Sequence, residues 1–286
     1  MKDVNLSKRM EAVVSMISPQ SFDIADLKGD CEAVAALKSE YEAVAALKDS
    51  HIPITIADVG CDHAYVSIAL INRNLADHVI AMDVRTGPLD IARSNVAEAG
   101  LSDKIDLRLG DGLERLLPGE VDVIIIAGMG GLLIKGILER GEDILRCENK
   151  RPVLILQPQS DLKEIRMFLH SHAYHIVCER MLLEEGKYYT VIKAVPVQAS
   201  LQEREFTEEY REEEWEYGKY NLVNQSDVLR GYLQNEEKVL ERIKAKVENA
   251  LDTSGDESSA STIQRLHTVK QELAINQKAQ RYYEGG

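Results

Sequence analysis

Apolar positions fall into three regimes along the 286 residues of the chain. Between residues 52 and 196, short apolar runs alternate with longer amphipathic stretches. The runs predict strands over 55–59, 78–83, 105–109, 121–127, 153–156, 175–180 and 188–196, with helices over 64–72, 87–99 and 132–140 between the early ones. The central runs, "VDVIIIA" and "VLILQ", are almost wholly apolar. Such strands are covered on both faces, which places them in a parallel sheet flanked by helices. The last two runs are separated by "MLLEEGK". A Gly-containing link of that length suits an antiparallel hairpin closing the sheet. The expected fold class is α/β.

Both flanks read as helical. Residues 1–50 carry a direct repeat, "EAVAALK" at 32–38 and again at 42–48. That offset turns the second copy about 80° from the first on an α-helix, so no face recurs. The apolar stripe runs instead through Val34, Leu37, Tyr41 and Val44. Two copies are too few for a solenoid. Beyond residue 200, Leu229, Leu233, Leu240, Ile243, Val247 and Leu251 recur at helical spacing, aided by Tyr232 and Val239. "DTSGDESSAST" at 252–262 reads as a loop. A second helix follows, marked by Ile263, Leu266, Val269 and Leu273. The two predict an antiparallel helical hairpin with a coiled-coil-like seam, joined by a helix over 206–224 with Trp215 and Tyr220. The expected division is an α/β domain over 1–199 and a helical domain over 200–286.

Composition narrows the class. Hydrophobic residues make up 44% and charged residues 29% of the chain, ordinary values for a soluble protein. No apolar run approaches the ~18 residues of a membrane span. The start, "MKDVNLSKRMEAVV", lacks the apolar core of a signal peptide. Cys31, Cys61, Cys147 and Cys178 are far apart and form no C-x-x-C pair, which disfavours a metal site and a disulfide framework. A cytoplasmic location is expected. The net charge of −14 argues against a broad nucleic-acid-binding face, although a local basic patch is compatible with it. Lys2, Lys8 and Arg9, and Arg230, Lys238, Arg242, Lys244 and Lys246, suit either such a patch or solvated helix faces.

The chemistry gathers in turns at the ends of successive predicted strands. The first is Asp58-Val59-Gly60-Cys61-Asp62-His63, and the second ends in Asp83, within "AMDVR" at 81–85. An acid about 20 residues after the first glycine, at the end of the second strand, is placed to accept both hydroxyls of a ribose. The third turn is Gly110-Asp111-Gly112 and the fourth Gly128-Met129-Gly130-Gly131. Each alone is compatible with a plain tight turn; four in order on successive strands describe a ligand site. A dinucleotide site wants G-x-G-x-x-G so that backbone can approach the pyrophosphate. Here Asp62 takes the place of the second glycine, and its carboxylate repels phosphate. A nucleoside without phosphates fits better. S-adenosylmethionine is one, with a cationic sulfonium and an ammonium that Asp58 and Asp62 can meet, while backbone N–H groups of the turn meet its carboxylate.

"DVGCDHAY", "AMDVRTGPLDIA", "RLGDGL", "IAGMGG", "LQPQ" and "EEGKYYTVI" resemble, in order and spacing, the bacterial tRNA adenine-22 N1-methyltransferases. The resemblance is close over roughly 5–20 and 54–196; the tail beyond 200 matches in kind more than in sequence. It implies a class I, Rossmann-like, S-adenosylmethionine-dependent methyltransferase with a C-terminal helical, coiled-coil-like domain. The implied reaction is methylation of N1 of adenine 22, in the D-arm region of tRNA. By motif it implies Gly60, Asp62 and His63 at the methionine end of the cofactor, Asp83 at the ribose, Asp111 at the adenine edge, and Gly128 and Met129 near the transferred methyl, with Asp58, Val84 and Gly112 also among the cofactor-binding residues. The family usually has Q-P-N where this chain has Gln157-Pro158-Gln159. Residues 21–50, which hold the repeat, look like an insertion relative to the family.

N1 of adenine has a free lone pair near neutral pH and needs no general base, so positioning should dominate catalysis. The base must be turned out of the folded tRNA, and carboxylates near it would stabilise the cationic product. Candidate catalytic residues are Gln157, with Gln159, on the base edge, His63 as a proton acceptor or as the group that orders Asp62, and Tyr189, with Tyr188, as a stacking surface. The rival readings are a methyltransferase of the same fold acting on a small molecule or protein, and a non-catalytic RNA-binding protein retaining the cofactor fold. The helical tail suits either tRNA contact or dimerisation; a monomer is the expectation, without metal or membrane partner.

Overall fold

The computed structural model describes residues 4–17, 53–197, 210–254 and 260–284. The EAVAALK repeat lies outside them. The chain divides into two compact units: Met1–Arg180 with Tyr189–Glu208, and Met181–Tyr188 with Glu209–Gly286.

The first unit opens with helix α1 (Lys8–Ser15), whose N-cap Ser7 accepts from the Met10 N–H. Then follow β1 (Thr55–Val59), α2 (Tyr65–Asn72), β2 (His78–Asp83), α3 (Thr86–Glu98) and β3 (Ile105–Leu109). After a crossover come β4 (Val123–Met129), α4 (Gly131–Arg140), the short α5 (Glu142–Leu145), β5 (Val153–Pro158), α6 (Leu162–Ser171), β6 (Tyr174–Glu184) and β7 (Lys187–Pro196). The strands form one sheet in the order β3-β2-β1-β4-β5-β7-β6. The first five are parallel, and β7 pairs antiparallel with β5. This is a Rossmann-like α/β arrangement with an antiparallel pair at one end. The apolar runs predicted the central strands because both faces are covered: Ile56 and Ala57 of β1, Ile124 and Ile126 of β4, and Leu154 and Leu156 of β5 are fully buried. Beneath the sheet, Arg166 of α6 donates to Glu179 of β6 at 2.7 Å with both side chains sealed from solvent. Such a pair costs several kcal/mol to break from one side.

Several boundaries differ from the sequence pattern, most of all at the strand ends. Strand β4 runs on to Met129 rather than stopping at 127, and β5 to Pro158. Strand β6 runs through Met181 and Leu182, both buried, to Glu184, so the link to β7 is Glu185-Gly186 alone. Both link residues have positive φ (48° and 75°), the signature of a tight two-residue hairpin turn. Helix α6 escaped the pattern reading, though Ile165, Phe168 and Leu169 mark its buried face.

In the second unit, the predicted helix over 206–224 is two helices, α7 (Glu212–Tyr217) and α8 (Lys219–Val223), within the described residues. Gly218 breaks them at φ 91°, a conformation no helix allows. The long pair is α9 (Asp227–Ser254) and α10 (Ala260–Gln280), so both helices extend into the segment read as loop. Leu229 and Leu233 pack with Tyr217, Leu222, Ala279 and the hairpin residue Met181, while Leu240 packs with Val269 and Leu273. Val239 and Ile263, which the periodicity placed at the seam, are about half exposed. Glu236 ties the unit together, accepting from Tyr217 Oη at 2.6 Å, Tyr232 Oη at 2.7 Å and Asn276 Nδ2 at 2.9 Å. Among the described residues no helix is long and apolar enough to cross a membrane, and no group of three or more His, Cys, Asp or Glu side chains is placed to hold a metal.

Candidate functional site

The chain passes from β1 outward to β2 and β3, then returns to place β4 on the other side of β1. The carboxyl ends at such a reversal leave a crevice. Here it is a cleft of about 810 Å³, lined from β1, β2, the turn after β3, the end of β4 and the start of α1.

The turn after β1 is fixed by backbone. Gly60 and Cys61 both donate to the Met82 carbonyl, at 2.8 and 2.9 Å. Gly60 has φ 75°, and a Cβ there would collide with the terminal methyl of Met129. Asp62 and Ala64 also lie in the left-handed region, at φ 48° and 61°. Asp tolerates that region; alanine does so at a cost of about 1–2 kcal/mol, which the surrounding bonds must offset. The result is an Asp62 side chain held out into the cleft, 62% exposed, with His63 Nε2 3.8 Å from its Oδ1. His63 is oriented by its own backbone, since Asn95 Nδ2 donates to its carbonyl at 2.9 Å, and by an edge contact with Tyr65.

Two carboxylates close the floor. Asp58 is buried, and its Oδ2 accepts from Ser67 Oγ at 2.6 Å. Burial pushes its carboxyl up to about 6, against the lowering effect of the Ser67 bonds. Asp83 is equally buried but better supplied: Oδ2 accepts from the Asp62 N–H at 3.3 Å and Oδ1 from the Arg85 N–H at 2.9 Å. Each oxygen has lone-pair capacity left for a hydroxyl donor. Beside it Val84 is 62% exposed, an apolar surface lining the cleft. Asp111 faces Arg140, whose Nη2 is 3.4 Å from both carboxylate oxygens. Gly112, at φ 58°, lies against Ile137.

The other wall is built from a bulge. The register between β4 and β5 shifts between Ala127 and Met129. At the shift Gly128 has φ 80° with open space where a side chain would be, and its N–H donates to Gln157 Oε1 at 3.1 Å. Gln157 is fully buried and gives its Nε2 to the Pro158 carbonyl. Gln157 is not among the cleft-lining residues, and both ends of its amide are bonded to backbone. Gln159, two residues on, is exposed and lines the cleft, anchored by its N–H on the Met129 carbonyl at 2.8 Å. Tyr189 is half-buried beneath Arg9, whose guanidinium carbon is 4.9 Å from the ring centroid. Tyr188 belongs to the helical unit, edge-on to Tyr232 and bonded by Asn235, so the expected pair of tyrosines is split by the alternation of the strand.

Sequence reasoning missed Asn5, Leu6, Ser7, Arg9 and Met10 as cleft residues, and Arg140 as the partner of Asp111. The available signal was Ser7, a helix cap immediately before an apolar run.

The family model for tRNA (adenine(22)-N(1))-methyltransferases, TrmK, matches residues 56–276. A tRNA (adenine(22)-N(1))-methyltransferase of Bacillus subtilis is 42% identical over 139 residues, which cover 49% of this chain and 57% of that protein. The alignment thus spans little more than half of that relative's length. The crystal structure of the B. subtilis M1A22 tRNA methyltransferase TrmK superposes with a TM-score of 0.71 at 26% identity, covering 96% of this chain and 99% of that one. A putative tRNA (m1A22) methyltransferase of Streptococcus pneumoniae, Sp1610, in complex with S-adenosyl-L-methionine, gives a TM-score of 0.68 at 28% identity over 96% and 99% of the two chains.

Proposed function

The chain belongs to the tRNA (adenine(22)-N(1))-methyltransferase family, and on that premise we propose that it transfers the methyl group of S-adenosylmethionine to N1 of adenine 22 in tRNA. The observation that carries the reading is the family match over residues 56–276, which includes Asp58, every cleft turn from Gly60 to Gln159 and most of the helical unit.

The cleft's chemistry fits the cofactor. Asp62 stands where a dinucleotide turn needs a glycine, and no phosphate cradle replaces it. Asp83 is buried and held by the Asp62 and Arg85 N–H groups in a position that suits a pair of ribose hydroxyls. Val84 offers an apolar face to adenine and Asp111 an acceptor to its amino group. Asp58 and Asp62 suit the ammonium, and Gly60, Gly128 and Met129 shape the passage where the methyl must point. The bound cofactor supplies an electrophilic methyl on a sulfonium, and the positive charge passes to the base with the methyl. The carboxylates of the cleft therefore hold one positive charge before and after transfer, which favours both states and the path between them. No group needs to remove a proton from N1. Gln159 is placed to bond the base edge, Gln157 holds the Gly128 bulge, and His63 orders Asp62. The helical unit is proposed to contact tRNA outside the cleft, and the protein to act as a monomer in the cytoplasm.

The test is methylation in vitro of a tRNA transcript with labelled cofactor, followed by nucleoside mass spectrometry. N1-methyladenosine is expected, and its loss in a transcript with guanosine at position 22. Label on another base or position, or none at all, refutes the reading.

A further inference from the structure

The sheet order sorts the cleft's chemistry. Asp58 ends β1, Asp83 ends β2 and Asp111 follows β3, so these carboxylates gather on the β3-β2-β1 side. Gly128, Met129 and Gln159 lie at the ends of β4 and β5 on the other side. Tyr189 is one strand further, on β7, and α1, which carries Arg9, packs against α2 and β5. Arg9 thus enters the cleft wall on the side away from the carboxylates, held over the Tyr189 ring. The only other Lys or Arg among the lining residues is Arg85, whose Nε is 3.7 Å from Asp83 Oδ1, within the acidic side.

We propose that Arg9, seated on Tyr189, binds the phosphodiester adjoining the target adenine. The proposal rests on the tRNA methyltransferase reading above. A base turned into the cleft brings its flanking phosphates to the rim, and the acidic side repels them. The Tyr189 face holds the Arg9 guanidinium in place, so fewer rotamers remain to be fixed when an oxyanion meets it. The phosphate is a better partner for Arg9 than the base itself. Methylation leaves the adenine cationic, and a guanidinium stacked on it would oppose the developing charge, whereas one on the phosphate does not. Tyr189 is accordingly the seat of Arg9 rather than the platform for the base.

The experiment uses the full chain with Arg9→Gln, Arg9→Lys and Tyr189→Leu. It follows methyl transfer to a tRNA transcript over a range of salt concentrations, with cofactor binding by calorimetry as the control for folding. Arg9→Gln is expected to raise KM for tRNA about tenfold at unchanged kcat and unchanged cofactor affinity. It should also make log kcat/KM about one unit less steep in log salt, the loss of one phosphate contact. Arg9→Lys should retain the salt slope, and Tyr189→Leu should raise KM for tRNA with Arg9 still present. An unchanged slope in Arg9→Gln, a fall in kcat alone, or a change in cofactor affinity overturns the proposal. Should the wild-type chain methylate no tRNA, the functional reading fails on that result alone. Filter binding of the same transcript to wild type and Arg9→Gln then decides the phosphate contact by itself: a shallower salt slope in the variant sustains it, and an equal slope overturns it.

Discussion

Asp58 makes the charge of the cleft floor conditional on pH. Its ordinary value is 3.8, and burial raises the folded carboxyl to about 6. A raised folded value means that ionisation favours the unfolded chain. The penalty is absent below pH ~4, grows between the two values, and is complete above pH ~6 at roughly 3 kcal/mol. Asp58→Asn removes the titration, so its stability relative to wild type should improve by roughly 3 kcal/mol between pH 4 and pH 7 in urea melts without cofactor. A constant difference across that range would show that Asp58 does not titrate there. An ammonium arriving at this floor has the opposite effect and favours the ionised form. Cofactor affinity is therefore expected to rise with pH through about 6 and then level off, with proton release on binding in the acidic range, both measured by calorimetry. Asp83 accepts from two backbone N–H groups, which fix the direction of its carboxylate. Asp83→Ala should weaken cofactor binding by at least tenfold, ~1.4 kcal/mol, in the same assay.

At the scale of elements, the site depends on two departures from regular backbone, the left-handed turn after β1 and the bulge at the end of β4, and they meet at Gly60 and Met129. Gly60→Ala should abolish measurable cofactor binding, through the strained φ of roughly 1–2 kcal/mol and through collision with Met129. Adding Met129→Ala removes the collision and should restore part of the binding; no recovery would assign the whole loss to backbone strain. Gln157→Ala leaves the Gly128 N–H without its acceptor and should cost about 1–3 kcal/mol in thermal melts, with a fall in kcat as the bulge relaxes. These two departures also mark how far the sequence could be read. Asp62 in place of a glycine, and Asp83 at the end of the second strand, were legible as cleft residues because strand-end turns set their spacing along the chain. Gln157 and Gln159 were not told apart, because a Q-P-Q segment does not say which amide faces in; the β5 pleat decides that. Arg9 on Tyr189 joins residues far apart in sequence, which no local pattern reports. The hairpin after β6 was misjudged in length because Met181 and Leu182 continue the strand as smoothly as they would begin a loop.

For the whole molecule, the proposed tRNA substrate would have to be met by local arrangement, because the chain carries a net charge of −14. The described helices contain one such arrangement: Lys238, Arg242 and Lys246 recur every four residues on α9, and all three are exposed. Four-residue spacing puts them along one helix face, a row able to follow a phosphate backbone. Removing the helices altogether is a poor test of that row. The unit also contains Met181–Tyr188 from the hairpin, where the Met181 N–H donates to Asn221 Oδ1 and Tyr188 packs on Tyr232. A chain ending at Ala199 would strip both of their partners, so lost activity would not separate lost contact from a damaged hairpin. Charge reversal leaves the packing intact because none of the three side chains is in the helical core. The triple variant Lys238→Glu, Arg242→Glu, Lys246→Glu is expected to keep its helical circular dichroism, its melting temperature and its cofactor affinity. Its KM for tRNA should rise by more than tenfold, with the salt dependence of kcat/KM shallower by roughly two to three in log–log slope. Unchanged KM and slope would exclude this face of α9 from tRNA recognition and leave the cleft rim at Arg9 as the place where phosphate is met.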